Sequence, residues 1–355
     1  MSQEHSGVAD LARDFIKGEI VDAVKEDDHY PDVPFRDPLY EKAEEVGFLN
    51  LLLPEEVGGV GETVEALAEV LYVMSKTDAS VAAVILCQAF AHRLLTRAGR
   101  ESLAQDIGFI ATTVYDDPLD LPGTVTASKK GDSFPLRGRL EYVALAPVAS
   151  AYLLPAVLEG QTALFLVKGD GGVSPGEPLL TLGLRACPVA DLSLDGAEGI
   201  LVAAGDTAPD IYGRAADDLR GAVVAIHAGI VAGCFEEAAA YARDRYQGYK
   251  QIIDHEQVRA ELGRIAATML VSEGLFRCAC HNHASHEEDL LPSAAQVLVG
   301  EMAAESTTFG VQILGGNGYM ADFGQEKRMR DAKQAQGIFG RKDLILQDLT
   351  VKLAT

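Results

Sequence analysis

The sequence predicts an α+β fold that is mainly helical. An N-terminal helical domain (1–107) precedes a middle antiparallel β domain (108–205) and a C-terminal antiparallel helical bundle (206–355). Apolar residues recur at helical spacing before residue 107 and again after residue 210. Between these regions, short β-prone runs alternate with Gly, Pro and Asp. At 355 residues, 48% hydrophobic and 23% charged, the chain has the composition and length to bury sizeable cores.

Each region follows from its own pattern. In the first, Pro38 to Val46 leads into GFLNLLLPEEVGGVG (47–61), where Pro54 and a glycine-rich turn stop an apolar run. From Thr63 to Thr96, Leu67, Val70, Leu71 and Met74 fall on one helical stripe. Residues 80–91 are almost wholly apolar, so that segment reads as a buried helix. In the second region, GFIATTVY, TVTAS, LEYVALA, AYLLPAVL, TALFLV and ADLSL are short strands, expected to form an antiparallel sheet or small barrel.

In the third region, Leu219, Val223, Ile226, Ile230, Cys234, Ala238 and Tyr241 form one stripe. Val258, Leu262, Ile265, Met269 and Phe276 form another, with a capping box expected from Asp254 and Gln257. A third helix is expected from Ser293 to Leu314, with Pro292 near its start, then shorter ones near 326–338 and 341–353. Long stripes joined by short connections predict an antiparallel bundle.

The formal net charge of −23 disfavours nucleic acid and anionic membranes by like-charge repulsion. The first residues, MSQEHSGVADLARDF, do not read as a signal peptide, and no membrane span is expected. Five scattered cysteines make no disulfide framework and fit a reducing cytoplasm. Cys278, Cys280, His281, His283 and His286 are zinc-competent residues, but their spacing matches no standard zinc motif and no metal is expected. His227, on a bundle helix, reads as a core histidine, and Cys87 and Cys234 as small core residues.

The most telling stretch is QILGGNGYMADFGQEKRMRDAK at 312–333. Gly315, Gly316, Asn317 and Gly318 close one helix, and Arg330-Asp331 lies in the next. Glycines tolerate positive φ and let backbone N–H groups approach an anionic phosphate. On its own such a turn is an ordinary helix end.

The full string resembles the acyl-CoA dehydrogenase family, flavoproteins that oxidise the Cα–Cβ bond of acyl-CoA thioesters. PLYEKAEEVGFLNLLLPEEVGGVG, LGLRACPVADLSLDG (182–196) and YARDRYQGYKQIIDHEQV (241–258) extend the resemblance over residues 38–350. It implies the three-part fold above, FAD shared across a subunit interface, an acyl-CoA substrate and transfer of electrons to an electron-transferring flavoprotein.

In that family one subunit holds the flavin ring, the thioester and a catalytic glutamate. Its neighbour donates contacts to the pyrophosphate and adenosine. The resemblance places Arg245, Gln247, Gln312, Gly315 and Gly316 in the donated set, although Gly248 replaces the usual Phe. A guanidinium and glycine N–H groups suit a pyrophosphate. On the resident side it places only Thr113 and Tyr142 beside the flavin, and Arg220 at the substrate. The Tyr-Glu-Gly-Thr element that carries the family's base reads GIFGRKD here, so Phe339 occupies the glutamate position and Arg341 that of the Thr.

Removing the α-proton of a thioester needs a poised carboxylate, which Phe339 cannot supply. Some relatives carry the base on an earlier helix, where Leu219 stands; Asp218 is one residue away, about 100° around that helix. Three readings follow. The chain is a base-lacking subunit that completes a homologous chain's FAD site. Or it is a self-sufficient enzyme using Asp218 or Glu326, or a non-catalytic scaffold on this fold.

Overall fold

The computed structural model describes residues 3–118, 120–169, 171–285 and 289–354. Helices α1 (Gln3–Phe15), α2 (Val24–Asp27), α3 (Asp37–Glu45), α4 (Val64–Ser75) and α5 (Ala79–Arg97) precede the sheet. Thr63 caps α4 by accepting the Ala66 N–H, and Asp78 caps α5 by accepting that of Ser80. Helix α5 packs against α4, α6 (Thr207–Asp244) and strand β1 (Ile110–Thr112), and residues 79–92 are buried throughout. Being surrounded, it has no need of a polar face.

The remaining strands of the middle region are β2 (Val125–Ala127), β3 (Pro135–Ala144), β4 (Ala151–Leu158), β5 (Gln161–Lys168), β6 (Val173–Pro175) and β7 (Val189–Ala204). They form one sheet in the order β1-β3-β2-β4-β5-β7-β6, and β3 also pairs with β7 from Pro135↔Glu198 to Ala144↔Val189. Register shifts on β3 bend it enough for the sheet to curl back on itself. The expected antiparallel arrangement needs one correction: β4 runs parallel to β1 and β2. The long excursions between these strands permit parallel pairing, which a hairpin cannot make.

The bundle contains α6, α7 (Glu256–Ser285), α8 (Leu291–Leu314), α9 (Gln325–Ala335) and α10 (Lys342–Ala354), with a hairpin of β8 (Tyr246–Gln247) and β9 (Lys250–Gln251) after α6. Glycines let other elements close on α6. A Cβ at Gly229 would lie 2.4 Å from the Tyr72 carbonyl oxygen, and one at Gly221 would lie 2.6 Å from Cys280 Sγ. The capping box expected at α7 does not form. The Asp254 carboxylate pairs with Arg259 instead, and the Gln257 amide bonds Glu261.

Helices α5 and α6 are long and apolar enough to cross a membrane, which the sequence reading did not anticipate. Their most apolar windows are 89% and 83% buried within the protein, as expected of core helices.

Candidate functional site

One end of the bundle gathers the residues assigned to a donated phosphate site. Helix α6 ends at Asp244, and Arg245 turns into extended backbone while its N–H still bonds the Tyr241 carbonyl. Its guanidinium is exposed and makes no ion pair among the described residues. The hairpin that follows is fastened by the Ile252 N–H donating to the Arg245 carbonyl and by His255 Nε2 lying 3.0 Å from the Gln247 carbonyl. The Gln247 side chain is exposed.

At the end of α8, Gln312 is exposed and Gly315 adopts φ +59°, opening a short turn through Tyr319. Gly316 is exposed, with nothing near its Cβ position, whereas a Cβ at Gly318 would lie 2.2 Å from the Val311 carbonyl oxygen. Asn317 Nδ2 donates to the Tyr241 hydroxyl at 3.2 Å. Since Tyr241 is one helical turn before Arg245, this bond brings the glycine turn and the arginine to the same end of the bundle. An exposed cation with no ion pair among the described residues, at the same end of the bundle as the exposed Gly316, fits the pyrophosphate of a dinucleotide.

The place where a flavin ring would rest in this chain is built differently. Phe339 takes φ +58°, donates its N–H to the Val114 carbonyl at 2.8 Å and is fully buried. Its ring packs on Phe90 with centroids 4.8 Å apart, and Phe90 meets Tyr212 edge-on. Thr113 is buried too: its hydroxyl lies 3.0 Å from that of Tyr212, which donates to the Thr113 carbonyl. The threonine oxygen is thus directed into the core.

Tyr142 is 57% exposed with φ +55°, so it is no core aromatic, and it edges a cavity of about 240 Å³. Tyr115, Thr181, Gln334, Gly340 and Arg341 line the rest. Ligand pockets usually enclose roughly 300–1,000 Å³. This cavity falls below that range, the Thr113 hydroxyl is engaged in the core, and Phe339 is itself fully buried, so this half does not fit a flavin ring together with an acyl thioester.

The candidate bases are held elsewhere. Asp218 is buried and accepts from Arg93 Nε at 2.5 Å and from Arg97 Nε and Nη2 at 2.6 Å. Two guanidiniums offset the charge of this buried carboxylate and occupy its oxygens. Glu326 is paired with Arg330 Nε at 2.7 Å. It borders a separate cleft of about 720 Å³ whose wall includes Lys327, itself joined to Asp78 and Asp331. Arg220 is buried and donates to Asp217, to Gln296 and, at 3.5 Å, to the Phe339 carbonyl. It therefore braces the 338–339 backbone. Arg341 is exposed and paired with Asp343.

The sequence reading passed over Asp116. Burial pushes its carboxyl up to about 6, against a lowering hydrogen bond from Thr113. It lies on the turn that bonds Phe339, and the neighbouring Asp117 carboxylate comes within 2.9 Å of a Cβ built on Gly340. The run DDPLD, placed where the family carries glycines and hydroxyls, was the available signal. Among the described residues no group of His, Cys, Asp or Glu could hold a metal ion. His286 and the side chain of His283 lie outside the described residues.

Comparison with known proteins follows the same division of the chain. The description "Acyl-CoA dehydrogenase, N-terminal domain" matches residues 2–107, and "Acyl-CoA dehydrogenase, C-terminal domain" matches residues 212–350. The chain is 26% identical to the cyclohex-1-ene-1-carbonyl-CoA dehydrogenase of Syntrophus aciditrophicus over 317 residues, covering 82% of this chain and 76% of that one. It is 25% identical to the 3-(aryl)acrylate reductase of Clostridium sporogenes, covering 94% and 93%. The butyryl-CoA dehydrogenase structure from Megasphaera elsdenii superposes with a TM-score of 0.91 at 19% identity, covering 100% of this chain and 99% of that one.

Proposed function

Because the chain belongs to the acyl-CoA dehydrogenase family, a family of flavoproteins, we propose that it is a base-lacking subunit that completes the FAD site of a homologous chain. The observation that carries this reading is the contrast between the two halves of the site. Arg245 is exposed with no partner charge among the described residues and Gly316 is exposed in the glycine turn, while Phe339, which the resemblance sets at the glutamate position, is fully buried. Asp218 and Glu326, which a self-sufficient enzyme could recruit, are both paired with arginines.

In this role Arg245 would neutralise the pyrophosphate of a flavin held by the neighbour, and the side-chain-free glycine turn would let its oxygens approach the backbone. Bound FAD would supply the two-electron acceptor for the reaction. The neighbour would bring the thioester and the carboxylate base. The reaction served is α,β-dehydrogenation of an acyl-CoA, with electrons passing on to an electron-transferring flavoprotein.

The test is co-expression with a homologue that retains the Tyr-Glu-Gly-Thr element. A heteromer with flavin absorbance and acyl-CoA oxidation, both lost on Arg245→Ala, supports the proposal. Stoichiometric FAD and turnover by this chain alone would overturn it.

A further inference from the structure

The cleft bordered by Glu326 is larger than the cavity beside Tyr142, and no residue of the donated phosphate set lines it. Its volume of about 720 Å³ lies within the range of ligand pockets, roughly 300–1,000 Å³. Three stretches meet there, residues 21–29, 75–79 and 319–331, joined by Arg185.

Most of the charge in this wall is matched internally. Arg330 holds Asp28 at 2.6 Å and Glu326 at 2.7 Å, Lys327 holds Asp331 at 2.6 Å, and Arg328 holds Glu237 at 2.5 Å. Carboxylates compensated in this way repel an incoming anion far less than free ones. Two cations are left over. Arg185 is part-buried, and its ion-pair partner Asp28, at 3.9 Å, is already taken by Arg330. Its Nε donates to the Thr181 carbonyl at 3.4 Å, and neither Nη group has a hydrogen bond among the described residues. Lys25 is exposed and has no ion pair among the described residues. Against these stands the exposed Asp322, likewise unpaired. In a chain of net charge −23, a cleft whose unmatched groups are mainly cationic runs against the rest of the surface.

A second observation is independent of charge. Ser75 lines the cleft and is 2% exposed, yet its hydroxyl has no hydrogen-bond partner among the described residues. A buried hydroxyl left unpaired carries a desolvation cost that a bound acceptor removes. The serine and Arg185 belong to one fastened unit. Lys327 Nζ bonds Asp78, three residues beyond Ser75, and also Asp331, which accepts the Leu184 N–H at 2.7 Å.

A guanidinium with both Nη groups open suits a carboxylate, and an ammonium supplies a second point charge. We propose that this cleft binds a small dicarboxylate, with Arg185 and Lys25 each taking one carboxylate and the Ser75 hydroxyl donating to a ligand oxygen.

The test is isothermal titration calorimetry of the purified full-length chain with succinate, butyrate and inorganic phosphate. Succinate should bind, and butyrate, of the same length but with a single carboxylate, should bind at least tenfold more weakly. Arg185→Gln should weaken succinate by roughly tenfold or more. Lys25→Gln, at an exposed position, should bring succinate down to the level of butyrate. Ser75→Ala should weaken succinate while leaving the melting temperature unchanged or higher, because it removes an unpartnered hydroxyl. A serine that serves only the fold would instead lower the melting temperature and leave binding intact, which overturns its role as a donor. Absence of succinate binding, or binding unchanged in both Arg185→Gln and Lys25→Gln, overturns the site. Displacement of succinate by phosphate at equal affinity overturns the dicarboxylate assignment.

Discussion

Phe339 is where one side chain decides the character of a site. Its ring is fully buried and packs on Phe90, so Phe339→Ala should cost about 3–5 kcal/mol, measured by urea unfolding. A loss below about 1 kcal/mol would mean the ring is not a filled part of the core. Asp218 gives a second residue-level prediction. Asp218→Asn would remove the carboxylate charge that Arg93 and Arg97 share. The expected loss is roughly 2–4 kcal/mol, moderated because both arginines are partly exposed. A catalytic base would instead show lost turnover with stability retained. Adjacency in sequence suggested Asp218 as a base, but side-chain direction around α6 sends it to two arginines on α5. That partnership spans more than a hundred residues, and no local pattern reports it.

Helix α6 illustrates how a whole element is specified. Its apolar stripe was legible because 3.6-residue periodicity is a local property. Its close approach to α4 was not, because Gly229 looks like any helix-weakening glycine until the Tyr72 carbonyl lies against it. Gly229→Ala should therefore destabilise the protein by roughly 1–3 kcal/mol through overpacking. Gly263→Ala on α7, where a Cβ meets nothing within 4 Å, should stabilise it by up to about 1 kcal/mol through helix propensity. Thermal melts of the two variants should move in opposite directions. The strands behaved similarly: their existence followed from alternation and turn residues, whereas the parallel pairing of β4 with β1 and β2 depended on distant segments meeting.

Across the whole molecule, acid should act through buried histidines. His92 and His227 are buried and neutral, and desolvation lowers each to about 4. The unfolded chain titrates them near 6.5, so between about 6.5 and 4 it binds protons that the folded chain excludes. Stability should fall as pH drops through that window, by up to roughly 3 kcal/mol for each histidine. Asp27 and Asp116 act in the opposite sense. Burial raises both to about 6, so protonation on acidification relieves a cost of the folded state. Urea unfolding of wild type and His227→Leu at about pH 7 and about pH 5 separates these effects. The advantage of the variant should grow at the lower pH, because neither ring nitrogen of His227 has a hydrogen-bond partner among the described residues.

The sequence by itself determined the order of helices, sheet and bundle, the family, and the identities of the glycine turn and of Phe339. These rest on periodicity, turn chemistry and residue type, all of which are local. Only the tertiary structure decided that Arg245 and the glycine turn share one end of the bundle, tied through Tyr241 and Asn317. It also decided that Thr113 is buried among Tyr212 and Asp116 and that Asp218 and Glu326 are paired with arginines. Those outcomes depend on which distant side chains meet, and that is settled when α5, α6, α8 and the sheet pack into one core.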